Sequence, residues 1–377
     1  MISRAMIENF INRNRDEAVV LLEELGKIAA PSYYEDQRAE FCYDWFVREG
    51  VGEVWVDAAK NVACKFGCDG SDDISVFAAH MDVVFDDREE LPMRREGNTL
   101  YAPGIGDDTA NLVNLMMGCR FLLENRRDLK RGVMIVANSC EEGLGNSNGI
   151  RELFSNYGAR IGRFVSFDGY QSQVTSIPVG SHRYRVQIKA RGGHSYLEFG
   201  NSSAVVYAAE LIGRLYSQKL PDKGHATYNV GRIEGGSTVN SIPEFCEMLY
   251  EYRSSDEECL TFMRRQMNSI VSEFRAAGVD MNVQTIGIRP GMGDIDRVAL
   301  RSWTNENIEA VRMWFDGEVD EGPYSTDSNI PLSRGVFANT IGTVRGGLAH
   351  TRGEWVDLDS ISSGMGIVCS LIGRCLA

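Results

Sequence analysis

Two imidazoles and six carboxylates recur in this chain just beyond short apolar runs or within glycine-rich turns. His80 and Asp82 follow the run 75–79, Glu141 and Glu142 follow 133–137, and Asp168 follows 164–167. Asp107 and Asp108 close the turn Pro103-Gly104-Ile105-Gly106, and His350 lies in Gly346-Gly347-Leu348-Ala349-His350-Thr351. Nitrogen and oxygen donors without thiolate suit borderline divalent cations, zinc first, with cobalt or manganese as alternatives. A pair of cations also accounts for the excess of carboxylates, because like charges crowded together raise one another's pKa. Each short pattern taken alone is common: His-x-Asp recurs by chance, and adjacent acids usually mark a solvated loop or a helix start. Their conjunction at successive strand ends is what points to a site.

Those strand ends belong to a recognisable framework. The runs 75–79, 133–137, 164–167 and 336–341 read as buried strands, and Leu112, Leu115, Met116, Cys119 and Leu122 mark one face of a helix that begins near Thr109. Strands alternating with helices predict a mainly parallel sheet with helices on both faces, whose carboxyl edge forms the binding crevice. From Arg183 the texture changes. Tyr184, Val186, Ile188 and Ala190 alternate with polar residues, as in a strand with one wet face. A helix carrying Val205, Ala208, Ala209, Ile212 and Leu215 follows, then strands near 228–233 and 245–252. Ser255 with Glu258 reads as a capping box opening a helix lined by Met263, Met267, Ile270 and Phe274, and Val279, Met281 and Val283 alternate in a last strand. The order β-α-β-β-α-β is that of a compact α+β domain. The expected organisation is therefore an α/β domain, 1–180 and 290–377, interrupted by an inserted α+β domain at 181–289, with a C-terminal helix from about Leu358 and hinge joints near Gly180, Gly291 and Gly293.

Composition narrows the partners. Lys and Arg number 39 against 53 Asp and Glu, a net charge of −14, which argues against nucleic acid or an anionic membrane surface. No apolar run approaches the roughly 20 residues of a membrane span, and the first 30 residues lack a signal-peptide core, so a soluble cytosolic protein is expected. Nine cysteines, odd in number and scattered from Cys42 to Cys375, read as buried free thiols, and the Cys64–Cys68 spacing is not that of a zinc ribbon.

With these residues in view, the chain resembles the di-zinc metallopeptidases and amidohydrolases that include peptidase T, acetylornithine deacetylase and carboxypeptidase G. The resemblance runs from Pro31-Ser32 to Ala349-His350-Thr351 and Glu354-Trp355-Val356, with the metal-site motifs in the family's order. It implies that His80, Asp107 and Asp168 hold one metal ion, that Asp107 bridges to a second held by Glu142 and His350, and that Glu141 is the general base. Asp82 resembles the carboxylate that orients the histidine ring. In the inserted domain, read as a lid and dimerisation domain that implies a homodimer, His194 of Gly192-Gly193-His194-Ser195 resembles the imidazole that reaches the scissile carbonyl. Asn240, Pro243 and Arg253 resemble contacts to the substrate carboxylate, and Asp327 and Asn329 of Thr326-Asp327-Ser328-Asn329 resemble a further substrate loop. The chain departs from the family's pattern at Thr109-Ala110-Asn111, where many members carry Lys and Gly, and at Arg345.

The implied reaction is metal-assisted amide hydrolysis of short peptides at their N-terminal bond, since Asp168 in place of Glu, the Thr326–Asn329 stretch and the Ala349–Thr351 stretch are most similar to peptidase T-like members. Two alternatives stand beside it: an N-acyl-amino-acid deacylase using the same chemistry, and a non-catalytic metal-binding protein of the same fold. Against the last, Glu141 is retained although it binds no metal in this scheme. His182 and His225 lack comparable context and read as surface or strand-end histidines.

Overall fold

Strands covered on both faces must be apolar throughout, and Ile74–His80 and Gly132–Asn138 are buried at every position. In the structure, a computed structural model describing residues 2–125, 129–222 and 225–376, they pair in parallel. Ile161–Phe167 joins Ile74–His80 on its other side, and Phe337–Ile341 follows, all four parallel. The flanks of this seven-stranded sheet are antiparallel: Val54–Val56 and Val62–Phe66 on one side, Val174–Thr175 on the other. A second sheet of four strands, two or three residues each, unites Arg94–Glu96, Thr99–Tyr101, Trp355–Asp357 and Gly346–Gly347. Strands that short carry no readable period, so nothing in the pattern announces them.

Helices Ala110–Glu124 and Ser360–Gly373 are buried around most of their circumference, as interior helices must be. They pack on each other, and Arg4–Leu25 packs on both. Gly118 permits the close approach: a Cβ there would fall 2.5 Å from Cγ1 of Val368 and 2.8 Å from Cδ1 of Ile372. All nine cysteines are buried, and none is in a disulfide.

The chain divides into two compact units, Met1–Pro178 with Gly293–Ala377, and Val179–Met292. The second unit has its own core and a four-stranded antiparallel sheet in the order Ala226–Gly235, Phe245–Ser254, Gly180–Lys189, Asp280–Arg289. Tyr184, Val186 and Ile188 are buried, matching the alternation. Helices Ala204–Tyr216 and Glu257–Ala276 pack on the sheet. The second of these is not opened by Ser255. Asp256 is the cap, its carboxylate accepting the N–H of Glu258 at 2.9 Å and of Cys259 at 3.1 Å, because the cap is the residue whose extended backbone immediately precedes the first turn. The first and last strands of this unit are neighbours, with Ser181 opposite Arg289. His182 is buried rather than superficial, its ring stacked on Tyr252 and Nδ1 within 3.0 Å of the Tyr252 hydroxyl.

Candidate metal centre

Parallel strands deliver their carboxyl ends to one edge, and the residues that follow them meet there. Oδ1 of Asp107 lies 3.1 Å from Nε2 of His80, and Oδ2 lies 3.1 Å from Nε2 of His350. That same His350 nitrogen is 3.0 Å from Oε1 of Glu142. Donor atoms of His80, Asp107 and Asp168 all fall within 4.8 Å of one another, and so do those of Asp107, Glu142 and His350. Asp107 is common to both groups, with one oxygen turned to each. Glu141 groups with His80 and Glu142 at the same spacing, so proximity alone does not separate a ligand role from a proton-transfer role for it.

Backbone donors hold the loops that carry these groups. Glu354 is buried and accepts three of them: Gly104 N at 3.0 Å, Gly106 N at 2.7 Å and Asp107 N at 2.7 Å. Asn111 donates to the carbonyls of Gly106 and Gly169 while its oxygen accepts from Thr343, tying the residue before Asp107 to the residue after Asp168. Asp108, joined to Asp107 by a cis peptide bond, accepts the N–H of His80 at 2.9 Å. Asp82 meets His80 with both its backbone and its side chain. The nearer contact to Nδ1 of His80 is the Asp82 backbone carbonyl at 2.9 Å, with the carboxylate at 3.4 Å. That carboxylate chiefly accepts Glu141 N at 2.9 Å, Glu142 N at 2.8 Å and the Ser32 hydroxyl at 2.7 Å.

The electrostatics fit divalent cations. Burial, reinforced by Asp107, lifts the Glu142 carboxyl to about 7 and Asp168 well above the carboxylate range. Burial likewise lifts Asp108, and lifts Glu354 to about 7. Burial opposes charge on Asp107 as well, yet hydrogen bonds from His350 and His80 outweigh it and hold that carboxyl below its usual range. Contacts with Asp107 and Glu142 raise His350 to about 11. Oδ1 of Asp108 is buried without a hydrogen bond. Oxygen and imidazole donors crowded at this density, with uncompensated negative charge and no sulfur, match the ligand chemistry of a pair of borderline divalent ions.

The remaining expected residues are placed as follows. Asp327 and Asn329 are fully buried: Asp327 accepts the Asn138 amide at 2.6 Å and Asn329 accepts Thr326 N at 3.0 Å. These bonds tie the loop that carries them to the end of strand Gly132–Asn138 and to its own backbone. His194, Asn240 and Arg253 lie in the second unit. His194 is exposed, and its Nδ1 accepts the N–H groups of Tyr196 and Leu197 at 3.3 Å each, which leaves the ring proton on Nε2. Residues 193–194 pair with 241–242, and His194 and Asn240 line one groove of about 740 Å³ with Thr238, Ser241 and Phe245. Arg253 gives both Nε and Nη2 to Glu251, at 2.9 and 3.1 Å.

Residues 76–374 match peptidase family M20/M25/M40. The chain belongs to this family. As an M20 hydrolase it is similar over 90% of its length, at 23% identity, to a Pyrobaculum aerophilum protein named, as a proposal, a LysW-lysine/LysW-ornithine hydrolase, 92% of which is covered. An acetylornithine deacetylase of Myxococcus xanthus is 27% identical over 54% of this chain and 55% of its own. Among solved structures, a Staphylococcus aureus tripeptidase superposes with TM-score 0.75 at 19% identity, covering 96% of this chain and 99% of that one. The aminopeptidase PepT of Bacillus cereus superposes with TM-score 0.70 at 20% identity, covering 97% and 99%. A Bacillus subtilis protein described as a dinuclear metal-binding peptidase of family M20 superposes with TM-score 0.64 at 14% identity, covering 97% and 100%. The structural likenesses support the α/β fold with an additional domain, and the family match makes the chain a hydrolase.

Glu354, Asn111 and Asp108, which support these loops, stood in stretches quoted from the sequence but were given no role there, because spacing along the chain does not show which distant backbone groups a side chain will meet.

Proposed function

We propose that this M20 hydrolase cleaves the N-terminal amide bond of short peptides, with two divalent ions held by His80, Asp107, Asp168, Glu142 and His350. The observation that carries the reading is the Asp107 carboxylate, whose two oxygens each face a separate histidine-containing donor group. Bound there, two cations, zinc ahead of cobalt or manganese, would supply Lewis acidity that makes water more acidic and draws electrons from a carbonyl oxygen. Glu141, its backbone pinned by Asp82, takes the proton of the attacking water and passes it to the leaving nitrogen. His194 donates from Nε2 to the developing oxyanion. Asn240 and Arg253 bind the substrate's far end, Arg253 exchanging Glu251 for a substrate carboxylate.

The second reading, an N-acyl-amino-acid deacylase, draws on the sequence similarity to the acetylornithine deacetylase. Metal-loaded protein offered di- and tripeptides beside N-acetyl amino acids separates the two. Amino acid released from peptides alone supports the first, release from N-acetyl substrates alone supports the second, and release from neither supports a binding protein without turnover.

We further propose a homodimer formed through the inserted unit, whose surface exposes Tyr196, Leu197, Phe199 and Val239. Light scattering of the purified protein tests it. No helix among the described residues is long and apolar enough to cross a membrane, and nine cysteines outside any disulfide fit a reducing compartment, so we propose that the enzyme works in the cytosol.

A further inference from the structure

Glu35 precedes helix Asp36–Arg48 at the position where a side chain usually caps the first turn, yet it makes no cap bond. It is fully buried and turned inward. Its Oε1 accepts the N–H of Tyr33 at 3.0 Å, the N–H of Cys140 at 3.0 Å and the thiol of Cys140 at 3.2 Å. Cys140 is the residue before Glu141, and its backbone is left-handed, with φ +57°, a conformation that a residue bearing a Cβ adopts only when its surroundings impose it. The next two N–H groups, of Glu141 and Glu142, go to Asp82. Three consecutive N–H groups of this turn are therefore held by two buried carboxylates reaching in from separate parts of the chain. Asp82 fixes where Glu141 and Glu142 sit. What fixes the torsion that aims them is the grip on Cys140, since relaxing its φ to the ordinary negative range would swing the following residue away from its present direction.

We infer that Glu35 is a positioning residue for Glu141, acting by accepting hydrogen bonds from Cys140 so that the base is presented to the site. This rests on the reading of Glu141 as the base. The role belongs to one oxygen: Oε2 of Glu35 is buried and makes no hydrogen bond. A glutamine keeps an acceptor at Oε1, whereas a methionine matches the length and offers none.

Glu35→Gln is expected to stay within about fivefold of wild-type kcat. Glu35→Met is expected to lose about 10- to 100-fold in kcat, the scale of a misplaced reacting group, with KM within about twofold and two metal equivalents retained. The same clamp is read without metal or turnover. In metal-free, folded protein, labelling of Cys140 by a thiol reagent, located by peptide mass analysis, should accelerate at least about tenfold in Glu35→Met and remain slow in Glu35→Gln. Equal kcat losses in the two variants would overturn the inference, because charge or packing and not the acceptor would then matter. Wild-type kcat and slow Cys140 labelling in Glu35→Met would overturn it too. Glu141→Gln separates this from the wider reading: if that variant turns over at the wild-type rate, the assignment of the base falls, while an inactive Glu141→Gln beside a fully active Glu35→Met sinks the positioning role alone.

Discussion

Asp107 is the position at which the two-metal reading is most exposed to test. Structural zinc sites with four protein ligands bind with about 10–16 kcal/mol, or about 2.5–4 kcal/mol per ligand. Each proposed ion has three residues here, and Asp107 is one of the three in both groups. Replacing it by alanine should weaken both sites together, by roughly 10²- to 10³-fold each at about 1.4 kcal/mol per decade. Asp107→Asn is more discriminating. Its amide keeps one oxygen, so one ion should survive at reduced affinity while the site facing the amide nitrogen is lost. His350 belongs to one group only, so His350→Ala should weaken one site and spare the other. Equilibrium dialysis against buffered free zinc, followed by elemental analysis of the protein, reads all three variants on one scale. Two tightly retained ions in Asp107→Ala, or loss of both in His350→Ala, would refute the shared-carboxylate argument.

Four further outcomes follow from the same structure. Glu141→Gln should keep two metal equivalents while kcat falls by roughly 10²- to 10⁴-fold, and if Glu142→Gln is instead the variant that keeps its metals, the two roles are reversed. Amidating the C-terminus of a tripeptide should cost the wild type about 10- to 100-fold in kcat/KM, the worth of a charge-assisted bond, and cost Arg253→Ala little; equal penalties would show that Arg253 serves only Glu251. Burial, with Arg264 nearby, lowers His182 to about 4. The folded state therefore refuses a proton that the unfolded chain accepts below about 6.5, so stability from this group is intact above that pH and lost as pH falls toward 4. Denaturant unfolding in chelator should show wild type losing about 1–2 kcal/mol more than His182→Phe between pH 7 and 4.5, after allowance for solvent screening, and parallel curves would dismiss the effect. Gly118→Ala should destabilise by about 1–3 kcal/mol through overpacking against Val368 and Ile372, with partial recovery in Gly118→Ala/Val368→Ala; a midpoint unchanged in urea would mean that the helices part at no cost.

What could be read from the chain was what repeats or alternates. The run from Ser75 to Ala79 announces a doubly covered strand, and the alternation of Tyr184, Val186 and Ile188 announces a sheet with one wet face, because burial imposes a period on sequence. The cluster of candidate ligands stood out for a related reason: His80, Glu142 and Asp168 stand where apolar runs stop, and the family resemblance then implied their roles. The supports were not readable. Glu354, Asn111 and Glu35 each satisfy backbone groups far away in sequence, and a side chain that serves a distant N–H carries no local signature. The same blindness hid the hold of the Asp82 carboxylate on a turn nearly sixty residues further on, and the enclosure of Asp327, whose partner Asn138 ends a strand that looked merely apolar.

The neighbouring first and last strands of the second unit bear on how the protein is assembled in time. Residues Val179–Met292 form a loop of 114 residues in the chain of the metal-binding unit, and bringing the ends of so long a flexible loop together costs about 4 kcal/mol in entropy. Once Ser181 lies opposite Arg289, the same connection behaves as a bridge of a few residues, and the cost drops by about 3 kcal/mol. The interrupted sheet thus gains when its guest folds first: an insertion that looks like a burden on chain continuity becomes the splint that brings residue 178 and residue 293 within reach of each other.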